Sequence, residues 1–473
     1  MKPLNLSDDA DWRKRFRAPS IANMQIAEKN SARGMIATNR SGVIQLYAWD
    51  IATGNLRQIT DKPAGVVFGG ISPDGDYIYY HDDFQGNEHG HYVRVPFEGG
   101  ESQNMSPDLP LYDSFSMSQS LNSRLFGFLA AGANGFEFYT LSVGENGELS
   151  VPNLLYTSRA LSMGPSLSYN AEYAVIATTE RSKSTDMCLM AFNLADASAQ
   201  QTVLILEEAE GSVEPVGFSP IAGDTRFLAT TDVSGYNRPV IWDVKTGDRI
   251  DIPLDDLEGD INTWGWSKDG KKLLLAHLFQ AKYQIYVYDL DKSLLHTINH
   301  PTGSFFFGTL SDDGTEIFSI SSDATHPARV VAISVADGSI RTVLAAGDVP
   351  ASRTWRSIHV QSTGGATIQA WVATPEGEGP FPTILHTHGG PTAVQTEGFN
   401  ASAQTFLDHG FAWVSVNYRG SVTFGRDFER SILGMLGHRE VDDMAAVTQW
   451  LINEGIAQPD AIILNGGSYG GYL

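Results

Sequence analysis

The stretch Ala461-Ile462-Ile463-Leu464-Asn465-Gly466-Gly467-Ser468-Tyr469-Gly470-Gly471 decides how this chain is read. An apolar, strand-forming run passes without a spacer into Gly-x-Ser-x-Gly, made by Gly466, Ser468 and Gly470. Glycine and serine are common, so the pattern alone says little. Directly after a buried strand it predicts a nucleophile elbow, a sharp turn that holds a serine hydroxyl exposed on a strained backbone. The small residues at Gly466 and Gly470 let the strand and the next helix approach closely.

Upstream lies a second apolar strand that ends in a glycine-rich turn, Pro382-Thr383-Ile384-Leu385-His386-Thr387-His388-Gly389-Gly390-Pro391. Acyl transfer needs donors aimed at the oxyanion formed during attack, each worth ~3 kcal/mol in the transition state. One donor is the N–H after the nucleophile, here Tyr469. The other comes from the loop after an early strand, which makes the Gly390 N–H the candidate. His388 precedes the serine, whereas this architecture runs Ser…Asp…His, so it reads as shaping the loop. Between the two motifs, Ala401 to His409 reads as a helix, 411–416 as a strand with both faces apolar, and Glu440 onward as a helix with Met444, Val447, Trp450 and Leu451 on its apolar face. The acidic residues at the start of that helix suit its dipole. Strands alternating with helices predict a doubly wound α/β layer with a parallel sheet.

The residues before Val349-Pro350 obey a different rule. An apolar residue, Ser, a turn and an apolar run recur, with serines at 72, 118, 168, 219, 267 and 311, spaced 44 to 51 residues apart. A degenerate first copy, Ile26-Ala27-Glu28-Lys29-Asn30, makes seven units. Each carries alternating strands closed by tight turns, as in Val240-Ile241-Trp242-Asp243 before Thr246-Gly247. A period of this length with four strands per unit predicts propeller blades, hence a seven-bladed β-propeller. The expected organisation is an N-terminal segment over 1–20, the propeller over 21–349 and an incomplete α/β-hydrolase domain over 350–473. The repeated Ser and Asp-Gly read as turn caps. Glu207-Glu208 reads as a solvated blade edge rather than an amine-binding pair.

Among the 473 residues, 32 are Lys or Arg and 55 are Asp or Glu, for a net charge of −23. Such a chain is repelled by phosphate backbones and anionic lipid, which excludes nucleic acid and membrane surfaces as expected partners. The lone Cys188 excludes an internal disulfide framework and a multi-cysteine metal site, and reads as a buried small hydrophobe. No signal peptide or apolar span of membrane length is visible, and the expected compartment is the cytoplasm.

With His388-Gly389-Gly390-Pro391, Asn417-Tyr418-Arg419-Gly420-Ser421, Phe424-Gly425, Glu440-Val441-Asp442-Asp443 and the elbow in this order, the chain resembles the prolyl oligopeptidase family of serine peptidases, its acylaminoacyl-peptidase and dipeptidyl-peptidase-like bacterial branches above all. The resemblance implies hydrolysis of peptide bonds in short peptides, a propeller that covers the active site, and no metal or organic cofactor. It implies Ser468 as nucleophile and the Gly390 and Tyr469 amides as oxyanion hole. Val422-Thr423 departs from the family's usual Thr-Gly before the aromatic-Gly pair. A larger departure is that no Asp or His follows Ser468, since all twelve histidines precede it. The triad acid and base are absent from this chain, which is expected to be a fragment and inactive alone. A non-catalytic binding propeller and a propeller-lidded esterase are the alternative functions.

Overall fold

The computed structural model describes residues 3–182, 185–195, 202–345 and 347–473, without the side chains of 202 and 203. Up to residue 344 the chain is almost entirely antiparallel β-structure. The recurring serine explains why. The Ser72 hydroxyl accepts the N–H groups of Asp76 and Tyr77, both at 3.0 Å, and donates to Asp74 at 2.5 Å. Ser311 does the same with Thr315, Glu316 and Asp313 at 3.1, 3.0 and 2.7 Å. At Ser72, Ser168 and Ser311 one hydroxyl thus satisfies two orphan donors of the turn that feeds the next strand, whereas Ser219 accepts only from Ile221 N–H, at 3.4 Å, among the described residues. Gly75, Gly270 and Gly314 supply the positive φ that these turns require.

In the third unit this work falls to Ser120, not Ser118. The Ser120 hydroxyl accepts from Leu125 N–H at 2.9 Å, whereas Ser118 reaches across to the carbonyl of Pro165 at 2.6 Å. Sequence spacing alone had registered that unit two residues early.

The expected seven discrete blades also need correction. Among the described residues, five four-stranded antiparallel sheets stand separately, over 21–58, 162–206, 213–251, 260–297 and 304–344. Residues between Gly70 and Ser158 form one nine-stranded sheet instead. The join is the two-residue strand Tyr112–Asp113, which pairs with His89 and Gly90 on one side and with Ala131 on the other. An aromatic cluster draws it in: Tyr112 stacks on Phe128 at 5.5 Å, and its hydroxyl accepts from Tyr92 N–H at 3.0 Å. The ring closes where Ile36 and Trp49 of the first sheet pack against Ile320 and Val330 of the last.

Beyond Pro350 a five-stranded sheet forms in the order 356–361, 367–373, 412–417, 381–387, 457–466. Its first two strands are antiparallel and its last three run parallel, so the sheet is mixed rather than wholly parallel. Successive side chains on a strand face opposite ways. Ala370, Val372 and Val414 accordingly pack on Met444, Val447 and Leu451 of helix Arg439–Asn453. Trp371, Ala373 and Trp413 pack on Ala403 and Leu407 of helix Ala401–Asp408, together with Ala281 and Ala324 of the β-structure. Arg15, 2% exposed, ties the N-terminal segment to this layer: it bonds Asp408 at 3.0 Å, the carbonyls of Pro350 and Ala351 at 2.9 Å each, and Ser352 at 2.7 Å.

Candidate active site

The strand Ala457–Gly466 runs parallel to Phe381–Thr387, pairing Leu464 with Leu385 and Gly466 with Thr387. Both sequence motifs therefore leave the sheet at the same end. In open α/β sheets, sites are built at the C-terminal ends of the strands. Ser468 follows the strand at φ 53° and ψ −127°, exposed, and caps the one-turn helix Tyr469–Tyr472. Left-handed backbone at a residue with a Cβ is strained, and it persists only where the surroundings over-determine it.

The surroundings do so through glycine. A Cβ on Gly470 would lie 2.2 Å from the Thr387 carbonyl oxygen and 2.6 Å from that of His388. One on Gly466 would lie 2.4 Å from the Gly470 oxygen. The Thr387 hydroxyl donates to the Gly470 carbonyl at 2.7 Å, tying the elbow to the end of the neighbouring strand. A Cβ on Gly389 would sit 3.2 Å from the Ser468 Cβ and 3.7 Å from its Oγ, so the glycine loop lies directly against the serine. Gly390, at φ 127°, turns the loop where a side chain would meet the Thr392 nitrogen at 2.7 Å.

His388 is buried and built into that loop. Its ring stacks on Tyr418 at 4.5 Å, Nε2 lies 2.9 Å from the Ser421 hydroxyl and Nδ1 lies 2.7 Å from the Gly389 carbonyl. Burial lowers its pKa below the usual imidazole value. The Tyr418 hydroxyl donates to the His388 carbonyl at 2.7 Å, which fixes the loop from below. The next residue, Arg419, is held by Asp443 of helix Arg439–Asn453 through its backbone N–H and its guanidinium, both at 2.8 Å.

Asp443 and Glu440 are both fully buried, and the reading of them as dipole partners missed this. The signal was present in the spacing. Positions 440, 443, 444, 447 and 451 share one helical face, so the two carboxylates lie on the side turned to the core. Glu207 and Glu208 are matched by arginines, Arg181 at 2.6 Å and Arg249 at 2.7 Å; Glu207 is exposed, but the Glu208 side chain is only 11% exposed, so it is not a solvated edge. Cys188 is buried, and desolvation pushes its thiol up to about 11.

Residues 397–473 match the model of the prolyl oligopeptidase family. Over 95 residues the chain is 38% identical to dipeptidyl aminopeptidase BIII of Pseudoxanthomonas mexicana, covering 20% of this chain and 14% of that protein. Over 92 residues it is 34% identical to acylamino-acid-releasing enzyme 1 of Oryza sativa subsp. japonica, covering 20% and 12%. The matched stretch thus spans only about a seventh or less of these curated relatives. The whole architecture is shared more widely. A crystal structure of puromycin hydrolase superposes with a TM-score of 0.80 at 18% identity, covering 98% of this chain and 76% of that one. A structure from a study of two prolyl endopeptidases gives 0.77 at 16%, covering 98% and 70%. At such identities the likeness establishes the fold: a propeller followed by a hydrolase domain.

Proposed function

We propose that this chain is the propeller and the nucleophile-bearing part of a serine peptidase of the prolyl oligopeptidase family. The observation that carries the reading is the strained backbone of Ser468 at a strand-to-helix turn, with the Gly389-Gly390 loop packed against it. In this reading Ser468 Oγ attacks the substrate carbonyl and forms an acyl-enzyme, which water then hydrolyses. The Gly390 and Tyr469 amides receive the oxyanion, and Gly466 and Gly470 keep the elbow tight. The domains divide as 1–20, 21–349 and 350–473, and the propeller limits access to short peptides.

A serine hydroxyl needs a positioned base to take its proton. No His or Asp follows Ser468 within these 473 residues, so the reading expects these residues alone to turn over poorly. Oxyanion donors without a base leave roughly 10³–10⁴ over water. The reading needs no metal or organic cofactor and includes a cytoplasmic setting, supported by the lone buried thiol. Among the described residues no helix is long and apolar enough to cross a membrane.

The test uses a form of the protein that carries a triad acid and base. Short peptides, short esters and a folded protein containing the same target sequence are compared as substrates. Turnover of the short peptide with the folded protein spared is expected; ester-only turnover, or equal cleavage of both peptide and folded protein, contradicts the reading.

A further inference from the structure

Glu440 presents an unusual environment for a carboxylate. It has no exposed surface, yet no cation is paired with it among the described residues. Oε1 accepts from the Tyr469 hydroxyl in a short hydrogen bond and from the Gly437 N–H at 3.3 Å. Oε2 is buried with no hydrogen-bond partner among the described residues. Burying a carboxylate this way is costly, and replacing it by an apolar side chain would be the simpler packing solution.

What the carboxylate holds is the residue directly after Ser468. The Tyr469 ring lies beside Tyr418 at 6.4 Å and Tyr472 at 5.6 Å, among the groups packed on the core under helix Arg439–Asn453. Burial, and then the bond to Glu440, push its phenol well above the usual range, so it remains a donor across the working pH range. The one-turn helix that carries Tyr469 has little intrinsic stability of its own. Helix Arg439–Asn453, in contrast, is anchored to the sheet by Met444, Val447 and Leu451 and to Arg419 by Asp443.

We propose that Glu440 is a positioning residue: through the Tyr469 hydroxyl it fixes the backbone N–H that follows Ser468, one half of the oxyanion hole. This rests on Ser468 being the nucleophile. Asp443, one helical turn along, holds Arg419 next to Tyr418, which bonds the His388 carbonyl and so steadies the loop carrying the other donor. One rigid helix end thereby sets both sides of the hole, as preorganised electrostatic stabilisation requires.

The experiment uses the triad-competent form and compares Glu440→Ala, Glu440→Gln, Tyr469→Phe and the double variant Glu440→Ala/Tyr469→Phe, with Ser468→Ala as reference. Loosening a donor is expected to lower kcat on the order of 10-fold in both Glu440→Ala and Tyr469→Phe, with KM within about twofold. The double variant should be no slower than either single one. Glu440→Gln retains an acceptor oxygen and should restore kcat to within about threefold of the parent. Tyr469→Phe removes one oxygen and keeps the ring, so it remains informative if Glu440→Ala does not fold. Parent-like kcat in Tyr469→Phe, additive losses in the double variant, or no rescue by Glu440→Gln overturns the positioning role and leaves the Ser468 reading intact. Turnover that survives Ser468→Ala overturns both.

Discussion

Arg419 and Asp443 form a buried pair in which one carboxylate receives both the backbone N–H and the guanidinium of the same residue, each at 2.8 Å. Arg419 also reaches the Thr363 hydroxyl at 2.9 Å and the Arg439 carbonyl at 3.1 Å. The pair joins the loop after strand Ala412–Asn417 to the start of the helix that covers the sheet. Removing one partner of such a pair leaves a buried charge uncompensated, which costs about 3–5 kcal/mol. Asp443→Ala should therefore lower the urea midpoint of the sheet layer strongly. Asp443→Asn keeps acceptor geometry at one oxygen and should lose less. Equal midpoints for parent and Asp443→Ala would show that the pair carries no stability.

Two glycines on either side of Ser468 should behave differently. Gly470→Ala places a methyl 2.2 Å from the Thr387 carbonyl oxygen, on backbone that has little room to yield, while a Cβ on Gly467 meets nothing within 4 Å. Displacing a catalytic atom by about 1 Å costs up to ~10²-fold. Steady-state kinetics of a triad-competent form should show kcat down roughly 10²-fold in Gly470→Ala and near the parent value in Gly467→Ala. The reverse order would contradict the close packing at the elbow.

Much of this architecture was legible in the sequence, for identifiable reasons. The turn serines recur because Ser72, Ser168 and Ser311 satisfy the same orphan backbone donors, and the elbow stands out because an apolar strand runs straight into it. Tyr112–Asp113 was not legible as a strand. It is two residues long, and what places it is an aromatic cluster contributed by Tyr92 and Phe128. Ser118 fits the sequence pattern because it directly follows the apolar Met117, whereas Ser120 follows the polar Gln119. Glu440 and Asp443 were read as dipole partners since acidic residues at a helix start satisfy that rule without any tertiary contact. Arg15 and Asp408 are 393 positions apart, a separation no local pattern bridges.

That distant pair predicts how the N-terminal segment comes away from the sheet layer. Arg15→Ala removes the bonds to Asp408, Pro350, Ala351 and Ser352 together, and large losses follow when such a buried network is broken. Limited proteolysis should then cut near Pro350 at lower urea than in the parent, by a margin of about 3 kcal/mol. An unchanged cleavage threshold would mean the N-terminal segment is held there by its other contacts alone.

The docking of helix Arg426–Arg430 onto the propeller should depend on pH. Arg426 N–H bonds the Gly235 carbonyl at 3.0 Å and Arg430 pairs with Asp186 at 3.4 Å, while Glu429 is partly buried nearby. Burial first and then the Asp260 carboxylate raise the Glu429 pKa, Arg430 opposes them, and Asp232 adds a smaller rise; burial raises that of Asp260 too. A carboxyl raised in the folded state contributes stability that is present below its unfolded pKa, near 4.5, and lost as pH rises through the folded value. Glu429→Gln should therefore raise the thermal midpoint at pH 7 and make no difference below about pH 4. A gain confined to acid pH would contradict the sign of this effect.

The central claim is that Ser468 is an activated nucleophile, and a covalent serine-directed fluorophosphonate probe tests it directly. A triad-competent form is incubated with the probe, digested and mapped by mass spectrometry. The account predicts one adduct, on the peptide that contains Ser468, and its complete loss in Ser468→Ala. An adduct on another residue, or none on a protein that still cleaves peptides, would contradict it.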